Sequence, residues 1–197
     1  AMMSSRFWSA VDRGSAIGGG SNDPELAMTR SIHSPTGRFE DNDALSPAAA
    51  LVRRHDRDRF QTALFAPAAA REGLFALYAF NFEIARVRET VREPMLGLIR
   101  LQWWREVVET ALSGGAARAH PVAQALTATI RAHRLSAAHF TRLIDSRERD
   151  LDPAPPATRS ALEDYAEGSS ARLIRLALEV LGAATPDDYD KLVHSFD

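Results

Sequence analysis

Apolar residues recur at alternating steps of three and four through the middle of this chain, at Leu77, Phe80, Ile84, Val87 and Val91. With 3.6 residues per turn, those five side chains fall on one face of an α-helix, and no convincing period-two alternation marks a strand anywhere. A single striped helix is not a fold. The stripe needs other apolar stripes to pack against, so the chain is constrained to build its core from helices.

The partners are legible on both sides. Ser46-Pro47 is an N-cap followed by proline at the first helical position, where its missing N–H costs nothing. A helix from about Pro67 to Val91 carries the first stripe. Pro94 opens the next, with two stripes, Leu96, Ile99, Trp103 and Val107 on one and Leu101, Trp104, Val108 and Ala111 on the other, which predicts burial on most sides. "SGGAARAHP" closes it, and helices at about 121–133 and 136–151 follow before "DPAPPATRS" forces a loop. A last helix spans about 159–181, with the stripe Leu162, Tyr165, Ser169, Leu173, Leu176 and Val180, and ends at Gly182. The class is all-α.

Residues 1–45 hold "GSAIGGGSNDPE" and "SIHSPTGRFEDNDALSP", rich in Gly, Ser, Pro, Asn and Asp without apolar periodicity, and are expected to form a disordered tail ahead of a helical domain at 46–197. Glu25, Glu40 and several aspartates argue against a mitochondrial presequence, and Met28 is a plausible natural start. A net charge of −2 gives no electrostatic case for nucleic acid. The absence of cysteine removes disulfide and zinc-finger readings. No apolar run approaches the roughly 18–20 residues needed to span a bilayer.

"ALYAFNFEIARVRETV", residues 76–91, places Glu83, Arg86, Arg88 and Glu89 inside this strongly apolar helix. Glu83–Arg86 and Arg86–Glu89 have the spacing of i,i+3 ion pairs on a partly solvated face, worth a few tenths of a kcal/mol each. The alternative is a fixed positive site in which Arg86 and Arg88 grip a phosphate group directly, as guanidinium does with bidentate geometry.

Five segments in series, "LFAPAAAREGLFALYAFNFEIARVRE", "RLQWWREVVE", "HPVAQAL", "LIDSRERDLD" and "LEDYAEGSSARLIRLALEVLG", resemble the squalene/phytoene synthase family in order and spacing over residues 56–182. Within it, "AFNFEIARVRE", "GLIRLQWW" and "LEDYAEGSSARL" look most like the branch that contains the respiratory complex I assembly factor. The resemblance implies an isoprenoid-synthase-type helical bundle. Family enzymes join two prenyl diphosphates head to head, and their first acidic motif, D-D-x-x-D, holds magnesium against the diphosphate through oxygen ligands. Aligned through Tyr78, that motif falls on Ala85, Arg86, Val87, Arg88 and Glu89. Only Glu89 keeps an acid, and on one continuous helix Ala85 stands where its partner carboxylate belongs. A guanidinium about 6 Å from Mg²⁺ would repel it by roughly 5 kcal/mol at an effective dielectric of about 20. Residual prenyl transfer by an unusual site is the third reading of these charges, and only under it is magnesium expected; otherwise no cofactor is.

The same alignment offers Arg71, Tyr78, Arg86, Arg88, Glu89, Gln102, Tyr165 and Ser169 as pocket or diphosphate-binding candidates, with no residue assigned a catalytic role. A buried tyrosine with a satisfied hydroxyl is the plainer reading of Tyr78 and Tyr165. Ser169 and Ser170 stand where the enzymes have the Val-Ala of a "Y-x-x-x-V-A-G" segment, and a hydroxyl there is ill suited to a hydrocarbon tunnel unless it is bonded. Trp103 and Trp104 read as packing residues. In "LIDSRERDLD", Asp145, Glu148 and Asp152 share a helix face; Asp145 and Glu148, with Glu89, are the nearest thing to metal ligands, but pairing with Arg142, Arg147 and Arg149 explains the acids more economically. The six histidines show no ligand spacing.

The family continues into further helices with a second acidic motif, whereas this chain stops after "TPDDYDKLVHSFD". The expectation is an incomplete domain in which the stripe Leu74, Tyr78 and Phe82 faces water. The function expected from the resemblance is a non-catalytic, assembly-factor-like or lipid-diphosphate-binding role; the alternative is prenyl transfer, inactive here through truncation. Expected partners are a prenyl or other lipid diphosphate, a respiratory-complex subunit or a peripheral membrane surface, and no nucleic acid. The expected location is the cytoplasm or the periphery of the inner membrane, mitochondrial in a eukaryote.

Overall fold

The computed structural model describes residues 45–152 and 154–183; the expected tail, Leu45 excepted, and residues 184–197 lie outside the described part. Every element described is helical, as the stripes require.

Local chemistry sets the ends. α1 (Pro47–His55) begins where Ser46 Oγ accepts the Ala49 N–H at 3.1 Å. Asp56 separates it from α2 (Arg57–Leu64): its carboxylate accepts the Arg59 N–H at 3.0 Å and pairs with the Arg59 guanidinium at 2.6 Å, so one acid both caps and anchors the helix. α3 (Ala68–Ala85) follows Pro67, and a short α4 (Val87–Thr90) follows Arg86. α5 (Pro94–Leu112) and α6 (Pro121–His133) both start on proline. α6 stops at Arg134, which takes the left-handed conformation at φ 53°. α7 (Ala137–Arg149) is followed by α8 (Arg159–Ala166), a π-helical turn at Glu167–Ala171 and α9 (Arg172–Val180).

α3 is the central helix. It packs against α1, α2, α6 and α9, while α5 lies against α6 and α7. At the centre, Phe80 meets Trp104 and Phe140 edge to face, with ring centroids 5.4 Å and 5.7 Å away. Leu77, Leu101, Leu126, Leu143 and Leu176 close the core around them. Burying side chains of this size contributes about 1.5–3 kcal/mol each, and the tryptophan pair performs the packing role its sequence suggests, with Trp104 buried and Trp103 set against it at 4.8 Å.

Four expectations are corrected. The helix foreseen to run unbroken to Val91 is interrupted at Arg86, where ψ is −5°; the turn lets α4 fold onto α5, with Arg100 donating to Thr90 Oγ1 at 2.5 Å. Of the two α5 stripes, Leu101, Trp104, Val108 and Ala111 are buried, but Leu96 and Ile99 of the other are exposed, because the first turns of α5 meet the rest of the protein on the side of Gly97, which lies against Leu151. The 159–181 stripe fails at Leu162, which is exposed, and holds from Ser169 onward. The π-helical turn supplies the reason: i→i+5 bonding inserts an extra residue and shifts the stripe's register. Finally, the Leu74–Tyr78–Phe82 stripe is covered by the two N-terminal helices. His55 stacks on Phe82 at 4.3 Å, Arg59 lies over the Tyr78 ring at 5.7 Å, and Leu74 is buried.

Candidate functional site

The π-helical turn positions the site. Gly168 lies so close to Ser146 of α7 that any Cβ would collide with the serine oxygen, and this contact brings α8 alongside the C-terminal turn of α7. Arg147 is the hub. Its Nη1 donates to the Tyr165 hydroxyl at 3.0 Å and to Asp150 Oδ2 at 3.2 Å, and its Nη2 reaches Asn81 Oδ1 of α3 at 3.4 Å. From α4, Arg88 Nη1 donates to the Asp150 carbonyl at 2.8 Å. Residues from α3, α4, α7 and α8 are thereby tied together around one guanidinium.

Beside this hub is an open cleft of about 510 Å³ lined by Arg88, Arg149, Asp150, Asp152 and Tyr165 on its polar side and by Ala154, Pro155, Pro156, Ala161 and Leu162 on its apolar side. Burial, reinforced by the hydrogen bond to Asp150, pushes the Tyr165 hydroxyl above its ordinary pKa of 10.0, so it stays neutral at physiological pH. Asp164 bridges Arg142 and Arg149. The hydrogen bond from Arg149 is the main reason its carboxyl sits below 3.8. A smaller cavity of about 160 Å³ lies between Tyr78, Arg59 and the α9 residues Leu173, Ile174, Ala177 and Leu178.

The candidates read from sequence divide between these places. Arg88 and Tyr165 meet in the larger cleft. Tyr78 lines the smaller one, its hydroxyl pKa raised by burial. Arg86 is not brought to Arg88's neighbours: it lies over the Phe82 ring at 5.2 Å and 3.8 Å from Glu83. Burial raises the Glu83 pKa, against the pull of Arg86 and Arg100. Arg71 donates from Nε to the Ala66 carbonyl at 2.9 Å, clamping the α2–α3 turn. Glu89 and Gln102 are exposed. Ser169 is buried, and its hydroxyl donates to the Tyr165 carbonyl at 2.7 Å, so its polar atom is satisfied inside the helix.

Asp145 and Glu148 are paired, but not with the neighbouring arginines that sequence suggested. Arg105 of α5 reaches both, at 2.5 Å and 2.8 Å, and these bonds outweigh burial in raising its pKa. Arg142 and Arg149 go instead to Asp164, and Arg147 to Asp150. Asn81 and Asp164 were the site residues that sequence reasoning missed, and Arg147 and Arg149 were singled out there without the partners they reach in the fold: Arg147 meets Asn81 and Arg149 meets Asp164 across 66 and 15 residues of sequence.

The squalene/phytoene synthase model matches residues 52–196. The chain belongs to the squalene/phytoene synthase family. It is similar to NADH dehydrogenase (ubiquinone) complex I, assembly factor 6, of Bos taurus and of Homo sapiens, at 36% identity over 132 residues in each case, covering 67% of this chain and 39% of each relative. The homologue of that factor in Drosophila melanogaster is 31% identical over 137 residues, covering 67% of this chain and 41% of its own length. The chain thus spans about two fifths of the curated relatives it matches. No solved structure matches.

The magnesium that synthases of this family use does not fit the residues present. At the first-motif positions Val87 is buried in the core, Arg86 and Arg88 carry positive charge, and the single acid, Glu89, is exposed beyond the break at Arg86. Among the described residues no three His, Cys, Asp or Glu side chains are grouped to hold a metal ion. A divalent cation needs several oxygens converging on one point, and one acid beside two guanidinium groups does not supply them.

Proposed function

We propose that this protein is a non-catalytic member of the squalene/phytoene synthase family that serves the assembly of respiratory complex I. The observation that carries the reading is the fate of the acids: the first-motif positions hold Ala85, Arg86, Val87, Arg88 and Glu89, while Asp145 and Glu148 are held by Arg105. Catalysis in such enzymes depends on stabilising a departing diphosphate, and oriented divalent cations are the strongest means of doing so. What this chain retains is the helical scaffold. The similarity to proteins named for complex I assembly supports using that scaffold as a binding platform, either for a complex subunit or for a lipid carrying a diphosphate.

Among the described residues no helix is long and apolar enough to cross a membrane. The proposed working location is peripheral to the inner membrane that holds complex I, mitochondrial in a eukaryote.

Two measurements test the reading. Incubation with labelled farnesyl or geranylgeranyl diphosphate and magnesium should give no condensed product; product above a no-protein control overturns the non-catalytic assignment. Expression of the protein in cells lacking their own relative of this family should raise the amount of assembled complex I on native gels. Unchanged complex I at confirmed expression overturns the assembly role.

A further inference from the structure

We infer that His139 is a proton-operated switch at the junction of α7 and α9: as a neutral ring it receives Arg172 and holds α9 in place, and as a cation it releases Arg172 and pairs with Glu179. The inference concerns regulation of the fold and stands apart from the assembly role.

The contacts fix where the ring carries its hydrogen. Arg172 Nη1 lies 3.4 Å from His139 Nδ1, and Glu179 Oε1 lies 3.6 Å from His139 Nε2. A guanidinium only donates, so the Arg172 contact requires an unprotonated Nδ1 and leaves the hydrogen of the neutral ring on Nε2, facing the carboxylate. Glu179 is tied by its other oxygen: Oε2 accepts the Ser136 N–H at 2.9 Å, at the start of α7, where the Ser136 side chain itself makes no capping bond. Arg172 is tied through Nη2, 2.9 Å from Glu167 Oε1 of the π-helical turn. Side chains from α7, α9 and that turn are thereby joined through one imidazole.

Protonation forces a change of partner. A second hydrogen, on Nδ1, points at the Arg172 N–H, so an acceptor becomes a donor and two positive charges face each other. Arg172 has much to lose there. Its Nε is buried with no hydrogen-bond partner among the described residues, so its hold on the fold runs through the Nη atoms, one of which is the His139 contact. The charged ring gains instead on its other side, where Glu179 already stands within ion-pair reach.

The surroundings set which form the fold prefers. The charged groups facing the ring are Glu179, Arg172 and Arg175 of α9 and Glu167 of the π-helical turn. Arg175 shares Glu167 with Arg172, and Arg142, one turn along α7, is engaged by Asp164. Burial is the largest influence, and with Arg172 and Arg175 it outweighs the two acids, holding the imidazole below its ordinary 6.5. The unfolded chain therefore takes up the proton first as pH falls. The stability that this junction contributes is present above the unfolded value and lost as pH drops through the folded one.

The test is nuclear magnetic resonance on the full chain, titrated from about pH 8 to about pH 5, a span that brackets histidine. In the neutral ring His139 should carry its hydrogen on Nε2, and its midpoint should lie below 6.5. Corrected for intrinsic exchange, backbone amides of residues 170–176, in the turn and the start of α9, should lose protection about tenfold over the titration, the scale of one charge-assisted hydrogen bond. His139→Gln, neutral throughout and still able to accept from Arg172, should keep that protection flat. Arg172→Gln removes a repelling charge and should raise the His139 midpoint, whereas Glu179→Gln removes an attracting one and should lower it. His120, whose Nδ1 accepts the Ala123 N–H of α6, also has a pKa lowered by burial; reading exchange in α9 separates its response from that of His139. The parent's own tautomer and midpoint keep the test decisive if a variant does not fold. A neutral ring protonated on Nδ1, a midpoint at or above 6.5, a midpoint unmoved in Arg172→Gln, or an equal acid loss of protection in His139→Gln would each overturn the inference.

Discussion

Arg105 of α5 donates from Nη2 to Glu148 Oε1 of α7 at 2.8 Å, and the same nitrogen also holds Asp145. One cation thus fastens two helices through the pair of acids that, on sequence, come nearest to a metal site. Both carboxylates are about two fifths exposed, so solvent screens the pairing and a large effect is not expected. Arg105→Ala should lower stability by about 1–2 kcal/mol, more than a surface pair gives because the arginine itself is mostly buried and its stem packs between the helices. Urea denaturation measures this. A variant as stable as the parent would show that the two ion pairs contribute nothing net.

The contact between Gly168 and Ser146 sets the π-helical turn against α7. Alanine ordinarily favours a helix over glycine by about 1 kcal/mol, yet here its Cβ would displace Ser146 Oγ from the Arg142 carbonyl it bonds at 3.0 Å. Gly168→Ala should therefore destabilise by about 1–3 kcal/mol. Adding Ser146→Ala should recover part of that loss, because the next atom, Ser146 Cβ, is 3.4 Å away and at ordinary contact distance. A double variant no more stable than Gly168→Ala alone would place the cost elsewhere.

Much of this arrangement was legible in sequence, and the part that was not has a physical cause. Stripes such as Leu77, Phe80 and Ile84 announce their helix because burial acts on residues three and four apart. Ser46, Pro94 and Gly182 mark ends because capping is local. Arg105 cannot be paired with Asp145 by any local rule, since the choice among Arg105, Arg142, Arg147 and Arg149 depends on which helix lies opposite. The interruption at Arg86 and the π-helical turn at Glu167–Ala171 carry no strong breaker such as proline. Both shift a helical register, so Glu89, after the first, and Leu162, before the second, face elsewhere than an unbroken helix implies.

Asp164 gives a pH dependence whose sign follows from its partners. Its carboxyl titrates below 3.8 in the folded protein because Arg149 and Arg142 favour the charged form. The unfolded chain therefore takes up the proton first as pH falls, and the stability that Asp164 contributes is present above the unfolded value and lost as pH drops through the folded one. Asp164→Asn should melt below the parent at neutral pH, and the gap should close on acidification below about pH 4. Melting curves across that range check it. A gap independent of pH would mean the substitution acts through packing or capping instead of charge.

The first turns of α5 carry the densest apolar exposure of the described surface. Met95 is 63% exposed, Leu96 49% and Ile99 50%, with Leu98 also turned outward. Yet Gly97 between them is buried against Leu151. The helix is therefore anchored at this point and cannot rotate its apolar side inward, so these side chains stay in water unless another surface covers them. Contiguous apolar patches of a few hundred Å² usually mark an interaction surface or an association hazard. The protein should bind a hydrophobic dye and sediment as more than a monomer, and Met95→Ser with Ile99→Ser should reduce both without lowering the melting temperature, since neither side chain belongs to the core. Trp104→Ala, one turn further along and fully buried, should instead cost about 3–5 kcal/mol. If the serine variant binds dye and sediments as the parent does, the association arises from another surface, with the exposed Ile174 and Leu181 on the α9 side the next to substitute.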